Sequence, residues 1–450
     1  MKKLIFKLTL ALSIYGAFST NGFSQGWAKK YAQDQSFFMP MMAHQQPDQS
    51  YVIIGNNLIT QQALYQPISA TGQPLSPIAY DSVAALGYSV ATGDGGFGVL
   101  CQGTLDAGDA PGSANIRLLR LDNAGQKLWM KRVANYPTNF GSGNMGIDTT
   151  NDGGFIVTYR HDTATTTVIR TDNAGNVVWQ NDYNQPVGNY ITSIVSTNDN
   201  GFVVTLQSGT PHIFKLDGSG TVLWQYNGSG GNTTLAKDGN LLLTDNISGH
   251  SYIKKIDQNG NDLWTQSYPL LPDSAALYYI VERDSNKYAF TTAAYTTYDS
   301  LAQIWHRDYW LGELDSSGNI LFTTQLPTSN FGFNANVIGG GTPRTFIATA
   351  DNGYFITGNS STTGSYGGYA WDIKTDSNGR AYPSTISGYV FNDANNSCLR
   401  DSSEQALITN LTISNATDTF LVAASDSGFF SLGVNEGTYN ISLESISPYW

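Results

Sequence analysis

Residues 121–129 read Leu-Asp-Asn-Ala-Gly-Gln-Lys-Leu-Trp, and this pattern returns along most of the chain. The Asp at its second position favours a tight turn, because its carboxylate accepts hydrogen bonds from backbone N–H groups ahead of it. The Gly three residues later fits the left-handed conformation that closes such a turn. Further copies occupy residues 171–179, 216–224 and 256–264, with weaker ones at 314–322 and 375–382. The recurrence identifies a repeat protein.

A second pattern alternates with the first. It reads Asp-Gly-Gly-Phe at 94–97 and 152–155 and Asp-Asn-Gly-Phe at 199–202, and looser copies begin at Asp48, Asp238, Asp284 and Asp351. Asp-Gly or Asn-Gly between β-branched and aromatic runs predicts a hairpin that joins two strands. The hairpins are about 50 residues apart, and four strands in such a period are typical of a β-propeller.

Seven hairpin units predict seven blades across residues 25–382, although poorly matched segments around 60–80 and 290–345 leave six or eight open. A lone strand at Gly26–Tyr31 matches Leu128–Val133, and we expect it to complete the last blade and remove an open sheet edge. After a linker at 383–385, residues 386–450 alternate apolar and polar positions. The predicted fold class is therefore all-β, with a seven-bladed β-propeller followed by a small, truncated Ig-like β-sandwich.

The first 24 residues indicate export. Lys2, Lys3 and Lys7 precede a short apolar run, Leu8–Ala17, and small residues follow it. This is the pattern of a cleaved signal peptide, and the run is too short to span a bilayer. We therefore expect a protein that is secreted or displayed at the cell surface, without a transmembrane segment.

The composition excludes some partners. The 450 residues carry a net charge of −12, and only 13% of them are charged. Nucleic acids and anionic membranes select basic surfaces, so neither is an expected partner. The two cysteines, Cys101 and Cys398, fall in different predicted domains, and we do not expect them to pair.

Residues 26–382 resemble repeat proteins secreted by Bacteroidetes-type bacteria, in which T-x-D-G-G-F-x-V units alternate with L-D-x-x-G-x-x-x-W units. The resemblance implies secretion by the type IX route. The turns also resemble the tryptophan-docking motif of quinoprotein propellers, which implies that each Trp packs between adjacent blades, but no cofactor-binding residues carry over. The segment 387–404 and Gly437-Thr-Tyr-Asn-Ile resemble the SD-repeat B-type, Cna-B-like domains of bacterial adhesins. That resemblance implies a spacer domain whose first loop binds calcium.

The loop from Asp393 to Glu404 is the predicted metal site. Counted from Asp393, oxygen donors fall at the positions of a calcium loop: Asp393, Asn395, Ser397, the Leu399 carbonyl, Asp401 and Glu404. Calcium takes six or seven such hard ligands. Cys398 replaces the Gly that normally makes the sharp turn, and a polar turn without metal remains the alternative.

Other candidate chemistry has a structural interpretation. The Asp residues that open the first pattern occupy a fixed place before Gly, which indicates turn formation rather than a metal-binding or catalytic ring. One Trp per repeat indicates packing between blades rather than a sugar-binding array. The five His residues show no metal-ligand spacing, and there is no nucleophile elbow or phosphate-binding loop.

The sequence thus predicts a non-catalytic binding or adhesion protein, with an extracellular protein or glycan as its ligand. Irregular insertions at Leu105–Ala114, Thr296–Arg307 and Ser360–Gly368 are the expected ligand-contacting loops. Two alternatives stay open. One is an extracellular polysaccharide hydrolase or lyase, which needs carboxylates gathered at the propeller face. The other is a purely structural surface scaffold.

Overall fold

The computed structural model describes residues 7–8, 26–31, 38–57, 62–80, 83–103, 114–136, 145–160, 162, 164–184, 190–207, 213–227, 231–247, 250–268, 276–284, 286–299, 304–326, 343–361, 368–381, 384–392, 404–407, 409–415, 419–434 and 437–443. Every regular element in these residues is a β-strand. None of the described residues belongs to a helix long and apolar enough to cross a membrane. The predicted all-β class is confirmed.

The first two strands, β1 (Lys7–Leu8) and β2 (Trp27–Lys30), join sheets that later parts of the chain form. Six four-stranded sheets then follow in chain order. Sheet 1 contains β3 (Phe38–Gln45), β4 (Tyr51–Asn57), β5 (Gln62–Ile68) and β6 (Ile78–Tyr80). Sheet 2 contains β7 (Val83–Ala91), β8 (Phe97–Gly103), β9 (Ala114–Leu121) and β10 (Lys127–Tyr136). Sheet 3 contains β11 (Met145–Thr149), β12 (Phe155–Arg160), β13 (Thr165–Thr171) and β14 (Val177–Asn184).

The second half of the chain continues the series. Sheet 4 contains β15 (Tyr190–Ser196), β16 (Phe202–Gln207), β17 (Ile213–Leu216) and β18 (Val222–Tyr226). Sheet 5 contains β19 (Thr233–Leu235), β20 (Leu241–Ile247), β21 (His250–Ile256) and β22 (Asp262–Ser267). Sheet 6 contains β23 (Ala276–Asp284), β24 (Lys287–Asp299), β25 (Ile304–Leu314) and β26 (Ile320–Gln325). Sheet 7 contains β27 (Pro343–Ala348), β28 (Tyr354–Ser361) and β29 (Gly368–Thr375), with β2 as its fourth strand.

Each of these sheets is an antiparallel meander with two distinct ends. The hairpin between the first and second strands and the turn between the third and fourth strands lie at the same end, which we call the turn end. The connections from second to third strand and from one sheet to the next leave from the opposite end, which we call the loop end. This topology sorts the repeated turns from the irregular segments.

The first strands form a closed circuit. Each of β3, β7, β11, β15, β19, β23 and β27 contacts the first strand of the following sheet, and β27 contacts β3. The lone strand β2 pairs with β29, from Trp27 opposite Lys374 to Lys30 opposite Trp371. The prediction that this strand completes the last sheet is confirmed, and the chain closes on itself without leaving that edge of β29 unpaired.

Apolar side chains fill the space between neighbouring sheets. One cluster, for example, brings Leu100 and Leu118 of sheet 2 against Phe155 and Val157 of sheet 3, all of them buried. Burying a side chain of this size contributes about 1.5–3 kcal/mol. The core is therefore divided into layers between sheets, as the apolar strands of the repeat require.

The C-terminal residues form two three-stranded sheets. One has the order β1, β30 (Ser384–Tyr389), β33 (Phe429–Val434), and the other β32 (Thr419–Ala423), β31 (Asn410–Ser414), β34 (Asn440–Leu443). Buried side chains of both sheets share one cluster, including Ile386, Leu411 and Leu432. Strand β30 begins at Ser384, inside the segment 383–385 that the sequence indicates as a linker. The predicted signal peptide, residues 1–24, lies outside the described residues except for Lys7 and Leu8.

Candidate binding surface

The hairpins at the turn end carry an ion pair that sequence inspection missed. In sheets 2, 3, 4, 5 and 7 the hairpin Asp pairs with a cation on the third strand of its own sheet. The pairs are Asp94–Arg120 at 2.5 Å, Asp152–Arg170 at 2.8 Å, Asp199–Lys215 at 2.5 Å, Asp238–Lys255 at 2.5 Å and Asp351–Lys374 at 2.8 Å. Each cation stands two residues before the Asp of the following turn. That spacing was visible in the sequence, but only the pairing of strands shows what the cation contacts.

In each of these ion pairs the carboxylate also accepts a hydrogen bond from within its own hairpin. The Thr92 hydroxyl donates to Asp94 at 2.6 Å, and this bond, the Gly96 N–H and the Arg120 guanidinium lower the pKa of Asp94 to about 2. The side chain of Lys215 is only 1% exposed, and its Nζ is bonded to Asp199 Oδ2 at 2.5 Å. A buried cation depends on its bonded carboxylate, because loss of that partner would leave its charge without compensation, and it is not free to bind a ligand.

Sheet 6 reverses this arrangement. Glu313 occupies the position of the cation, and Arg283 bonds it from the hairpin with Nη1–Oε2 at 2.7 Å. The Tyr354 hydroxyl of sheet 7 donates to the same carboxylate oxygen at 2.5 Å. Arg283 also donates to the Ser377 carbonyl of sheet 7 at 2.8 Å. The reversed pair therefore ties sheet 6 to sheet 7.

The same sheet corrects one sequence prediction. In the other hairpins the left-handed residue directly follows the Asp, as Gly95 follows Asp94, but in sheet 6 it is Asn286, with φ of 70°. The prediction that Asp284 is the hairpin Asp is wrong by one residue, since its counterpart is Ser285, which lies outside the described residues. Glu282 accepts a hydrogen bond from the Asn286 N–H instead. Asp284 resembles the hairpin Asp of the other sheets in sequence, but in sheet 6 a different residue, Glu282, accepts the hydrogen bond from the turn.

The Asp residues of the first sequence pattern, in the turns between third and fourth strands, cap backbone N–H groups, as predicted. Asp122 Oδ1 accepts hydrogen bonds from the N–H groups of Ala124 at 2.9 Å and Gln126 at 2.7 Å. The N–H group four residues on donates in the same way to Asp172, Asp217, Asp257, Asp315 and Asp376. The Gly of each turn has a left-handed φ, such as 77° at Gly125. Among the described residues there is also no group of three or more His, Cys, Asp or Glu that could hold a metal ion.

The Trp residues dock onto the neighbouring sheet, as predicted. Trp179, Trp224 and Trp264 donate their indole N–H to a turn carbonyl of the following sheet at 2.8–3.1 Å, and Trp27 does the same at 2.9 Å across the closure. Trp129 packs so closely on Gly175 that a Cβ there would lie 2.6 Å from the ring. In sheet 1 the Tyr65 hydroxyl replaces the indole and donates to a turn carbonyl of sheet 2, while Tyr80 donates to the Gly125 carbonyl as Tyr183 does to that of Gly220. These aromatic rings hold sheets together.

The turn end nevertheless has exposed apolar groups. The residue just before each docking aromatic, or its counterpart in sheet 1, is an aliphatic side chain between 49% and 57% exposed in six sheets: Leu75, Leu128, Val178, Leu223, Leu263 and Leu321. Single exposed aliphatic residues are ordinary on protein surfaces. Here they recur at one repeat position and form a rim of separate residues.

One possible nucleophile–base pair exists among the described residues. His44 of β3 and Ser89 of β7 approach to 2.8 Å between Nε2 and Oγ. Burial lowers the pKa of His44 to about 4, so the imidazole is neutral at pH 7. Ser89, however, is only 4% exposed, and the described contacts of His44 include no carboxylate that would orient it. The pair joins sheets 1 and 2, and a substrate has no access to the serine.

The predicted calcium loop is almost entirely outside the described residues. This applies to Asp393, Asn395, Ser397, Leu399 and Asp401. Glu404 is described, and it is buried, with 7% of its surface exposed. Cys398 also lies outside the described residues, whereas Cys101 is a buried free thiol in sheet 2. The calcium site stays a prediction.

The three insertions expected to contact a ligand share one topological position. Each joins the second to the third strand of a sheet: β8 to β9, β24 to β25, and β28 to β29. Residues 105–113, 300–303 and 362–367 lie outside the described residues. The prediction that Thr296–Arg307 is irregular is wrong, because β24 and β25 stay paired as far as Asp299 and Ile304. All three nevertheless leave from the loop end.

Comparison with known proteins leaves the family open. No protein-family model matches the chain, and no curated protein matches it. One similar solved structure is an inactive variant of virginiamycin B lyase from Staphylococcus aureus with quinupristin, at TM-score 0.49 and 13% identity, covering 77% of this chain and 98% of the other. YCF48 bound to D1 peptide has TM-score 0.46 and 13% identity, covering 80% and 99%. Prolyl oligopeptidase B from Galerina marginata has TM-score 0.43 and 13% identity, covering 72% and 47%. These neighbours are β-propeller proteins, and their activities differ.

Proposed function

We propose that this chain is an exported, non-catalytic binding protein, in which a seven-bladed β-propeller is the recognition platform and an Ig-like C-terminal domain is a spacer. The charged and hydrogen-bonding side chains of the repeat support this proposal, because each has a partner role within the fold. The hairpin carboxylates pair with cations, the turn carboxylates cap backbone N–H groups, and the indoles donate to neighbouring sheets. Binding then depends on the segments between repeats.

The observation that carries the proposal is the placement of the three insertions. They belong to sheets 2, 6 and 7, and sheet 1 is the single sheet between 7 and 2 in the circuit. The long connection 327–342 joins sheets 6 and 7 from the same end. Variable segments on a rigid scaffold are where binding proteins usually carry recognition. We therefore place the ligand site at the loop end, over sheets 6, 7, 1 and 2.

The enzyme alternative requires paired carboxylates. Among the described residues, Asp148 and Asp372 have a raised pKa, to about 6 and about 7, because burial disfavours their charged forms. They belong to sheets 3 and 7, which are not neighbours in the circuit. Glycoside hydrolysis needs two carboxyl groups within about 5–10 Å of each other. This pair of residues therefore gives a catalytic function no support.

A binding experiment tests the platform. Wild-type protein is passed over arrays of purified polysaccharides and of extracellular matrix proteins, beside a variant with 105–113 and 362–367 replaced by Gly-Ser linkers. A turn-end variant, Leu223→Lys, is the matched control, since that side chain is 55% exposed. We expect at least one polysaccharide or matrix protein on the arrays to bind wild type and Leu223→Lys equally and not to bind the linker variant. Loss with Leu223→Lys alone, or release of reducing ends from a polysaccharide, contradicts the proposal.

The spacer role is tested with calcium. We infer that the loop 393–404 holds calcium and stiffens the C-terminal domain, and the buried Glu404 at its end supports this. A thermal melt with calcium should raise one transition relative to chelator, and the rise should vanish in Asp393→Ala, because ligand binding to the native state stabilises it. An identical melt with calcium and with chelator leaves only a polar turn.

A further inference from the structure

A buried carboxyl group interrupts the core beside the strand that closes the circuit. Asp372 lies on β29 with 0% of its surface exposed. The corresponding residue, two before the cation position of the third strand, is a buried apolar or aromatic residue in every other sheet: Tyr65, Leu118, Val168, Ile213, Ile253 and Leu311. Packing of the repeat therefore does not explain an Asp at this position.

The partner of Asp372 comes from the N-terminal strand segment. The Tyr31 hydroxyl donates to Asp372 Oδ2 at 2.5 Å, and the Tyr31 N–H donates to the Ala370 carbonyl at 3.0 Å. Asp372 Oδ1 has no hydrogen-bond partner. Lys374, two residues along the same strand, is bonded to Asp351 at 2.8 Å. Burial raises the pKa of Asp372 by more than the Thr357 and Tyr31 hydroxyls lower it, so the neutral acid is favoured.

We propose that Asp372 and Tyr31 form a pH-dependent latch, in which the neutral carboxyl holds the closing strand against sheet 7 and its ionisation loosens the seam between the last and first sheets. Asp372 is buried inside β29 and belongs to none of the loop-end insertions, so this proposal does not depend on the ligand site. Residues 27–30 are far in sequence from the strand that they complete. Their docking is therefore the step that closes the circuit.

The direction of the pH effect follows from linkage. Burial raises the pKa of Asp372 to about 7, while an open, hydrated Asp titrates near its ordinary value of 3.8. The closed state thus binds the proton more tightly, and the latch is most stable below about pH 4. The equilibrium constant for opening rises about tenfold for each pH unit between about 4 and 7, and it is constant above that range.

The other charged and titratable groups at the seam do not reproduce this profile. Burial raises the pKa of both Tyr31 and Tyr51, so these hydroxyls stay neutral across the window. Lys29 lies opposite Asp372 on β2, and Lys374 is bonded to Asp351; burial raises the pKa of Asp372 with both lysines nearby. His44 has its pKa lowered to about 4, but its ring contacts Phe97 of sheet 2 and not the seam.

Hydrogen exchange of the full chain tests the latch. Protection of the peptide covering 26–31 is compared between wild type and Asp372→Asn at pH 5, 6, 7 and 8, so that intrinsic exchange rates cancel at each pH. The control peptide covers 177–184, the fourth strand of sheet 3. We expect the ratio of wild-type to variant exchange at 26–31 to rise about tenfold per unit from pH 5 to 7 and then level, with no change at 177–184.

Two further variants keep the test decisive. Asp372→Leu restores the aliphatic residue found in other sheets and should give the same flat profile as Asp372→Asn. Tyr31→Phe removes the hydroxyl, and it should weaken protection most at low pH, where the latch is closed. A constant ratio across pH 5–8, or an equal change at 177–184, overturns the proposal.

Discussion

The reversed ion pair of sheet 6 gives a sharp prediction about stability. Arg283 and Glu313 are 6% and 4% exposed in their side chains, and 2.7 Å separates Nη1 from Oε2. Replacing Arg283 with Met keeps most of the volume but leaves Glu313 with the Tyr354 hydroxyl and with Lys287, whose Nζ is 3.8 Å away. Removing one partner of a buried pair costs about 3–5 kcal/mol, because the other charge stays buried without compensation.

The repeat itself supplies the rescue. In sheet 4 the hairpin holds Thr197 and Asp199, and Lys215 supplies the cation. The triple variant Arg283→Thr, Ser285→Asp, Glu313→Lys installs this arrangement in sheet 6. The Tyr354 hydroxyl can then accept from the new lysine, as the Tyr288 hydroxyl accepts from Lys255 at 2.7 Å. We expect the triple variant to recover stability to within about 1 kcal/mol of wild type, since coupled substitutions are not additive.

Urea denaturation followed by tryptophan fluorescence and by circular dichroism measures both effects. The midpoint should fall for Arg283→Met with the slope unchanged, which identifies a loss of stability rather than a change in compactness. Lys287→Met is the matched control, because that side chain is 42% exposed and should cost less than about 1 kcal/mol. A cost below about 1 kcal/mol for Arg283→Met, or no recovery in the triple variant, would refute the reasoning.

Three other predictions follow from single repeat positions. Trp224→Phe should lower the free energy of unfolding, measured by urea denaturation, by about 1 kcal/mol, because it removes a hydrogen bond to a turn carbonyl. Sheet 6 already has Phe322 at this position. An equal loss for Trp224→Phe and Trp224→Ala would contradict this. In the same urea denaturation, Gly260→Ala should lower the free energy of unfolding by about 1–2 kcal/mol, because φ is 86° at Gly260. Gly93→Ala should leave it nearly unchanged, because there is open space around Gly93. Asp148 has a pKa raised to about 6 by burial, so wild type should lose thermal stability relative to Asp148→Asn as pH rises from about 4 to 6, and parallel melting profiles would count against it.

Local turn chemistry made the architecture predictable from sequence. An Asp followed three residues later by Gly specifies a turn wherever it occurs, and the Trp beyond it identifies the strand that faces the next sheet. The lone strand with Trp27 was recognisable because it matched Leu128–Val133 and had no turn before it. These signals depend only on residues close in sequence, so the structure of each repeat could be predicted from that repeat alone.

The contacts that distinguish the sheets were not local. Arg120 lies 26 residues from Asp94, and only the pairing of β8 with β9 brings them together. Arg283 and Glu313 were unreadable for the same reason, and there a conserved turn shape also hid a one-residue shift. Asp372 is separated from Tyr31 by 341 residues. Charge partners in this fold depend on strand order, which the repeat pattern implies only after the sheets are assigned.

The distribution of charge explains why binding is proposed outside the repeats. A side chain that recurs at one repeat position makes a similar contact in most sheets, so its role is explained by the fold. The hairpin Asp pairs with a cation in five sheets, and where the pair is reversed, Arg283 and Glu313 again bond each other. The cations of these pairs are at most 23% exposed and already bonded, so they offer a ligand little free surface. We therefore propose that the ligand is bound by the segments that differ between sheets, which leave from the loop end.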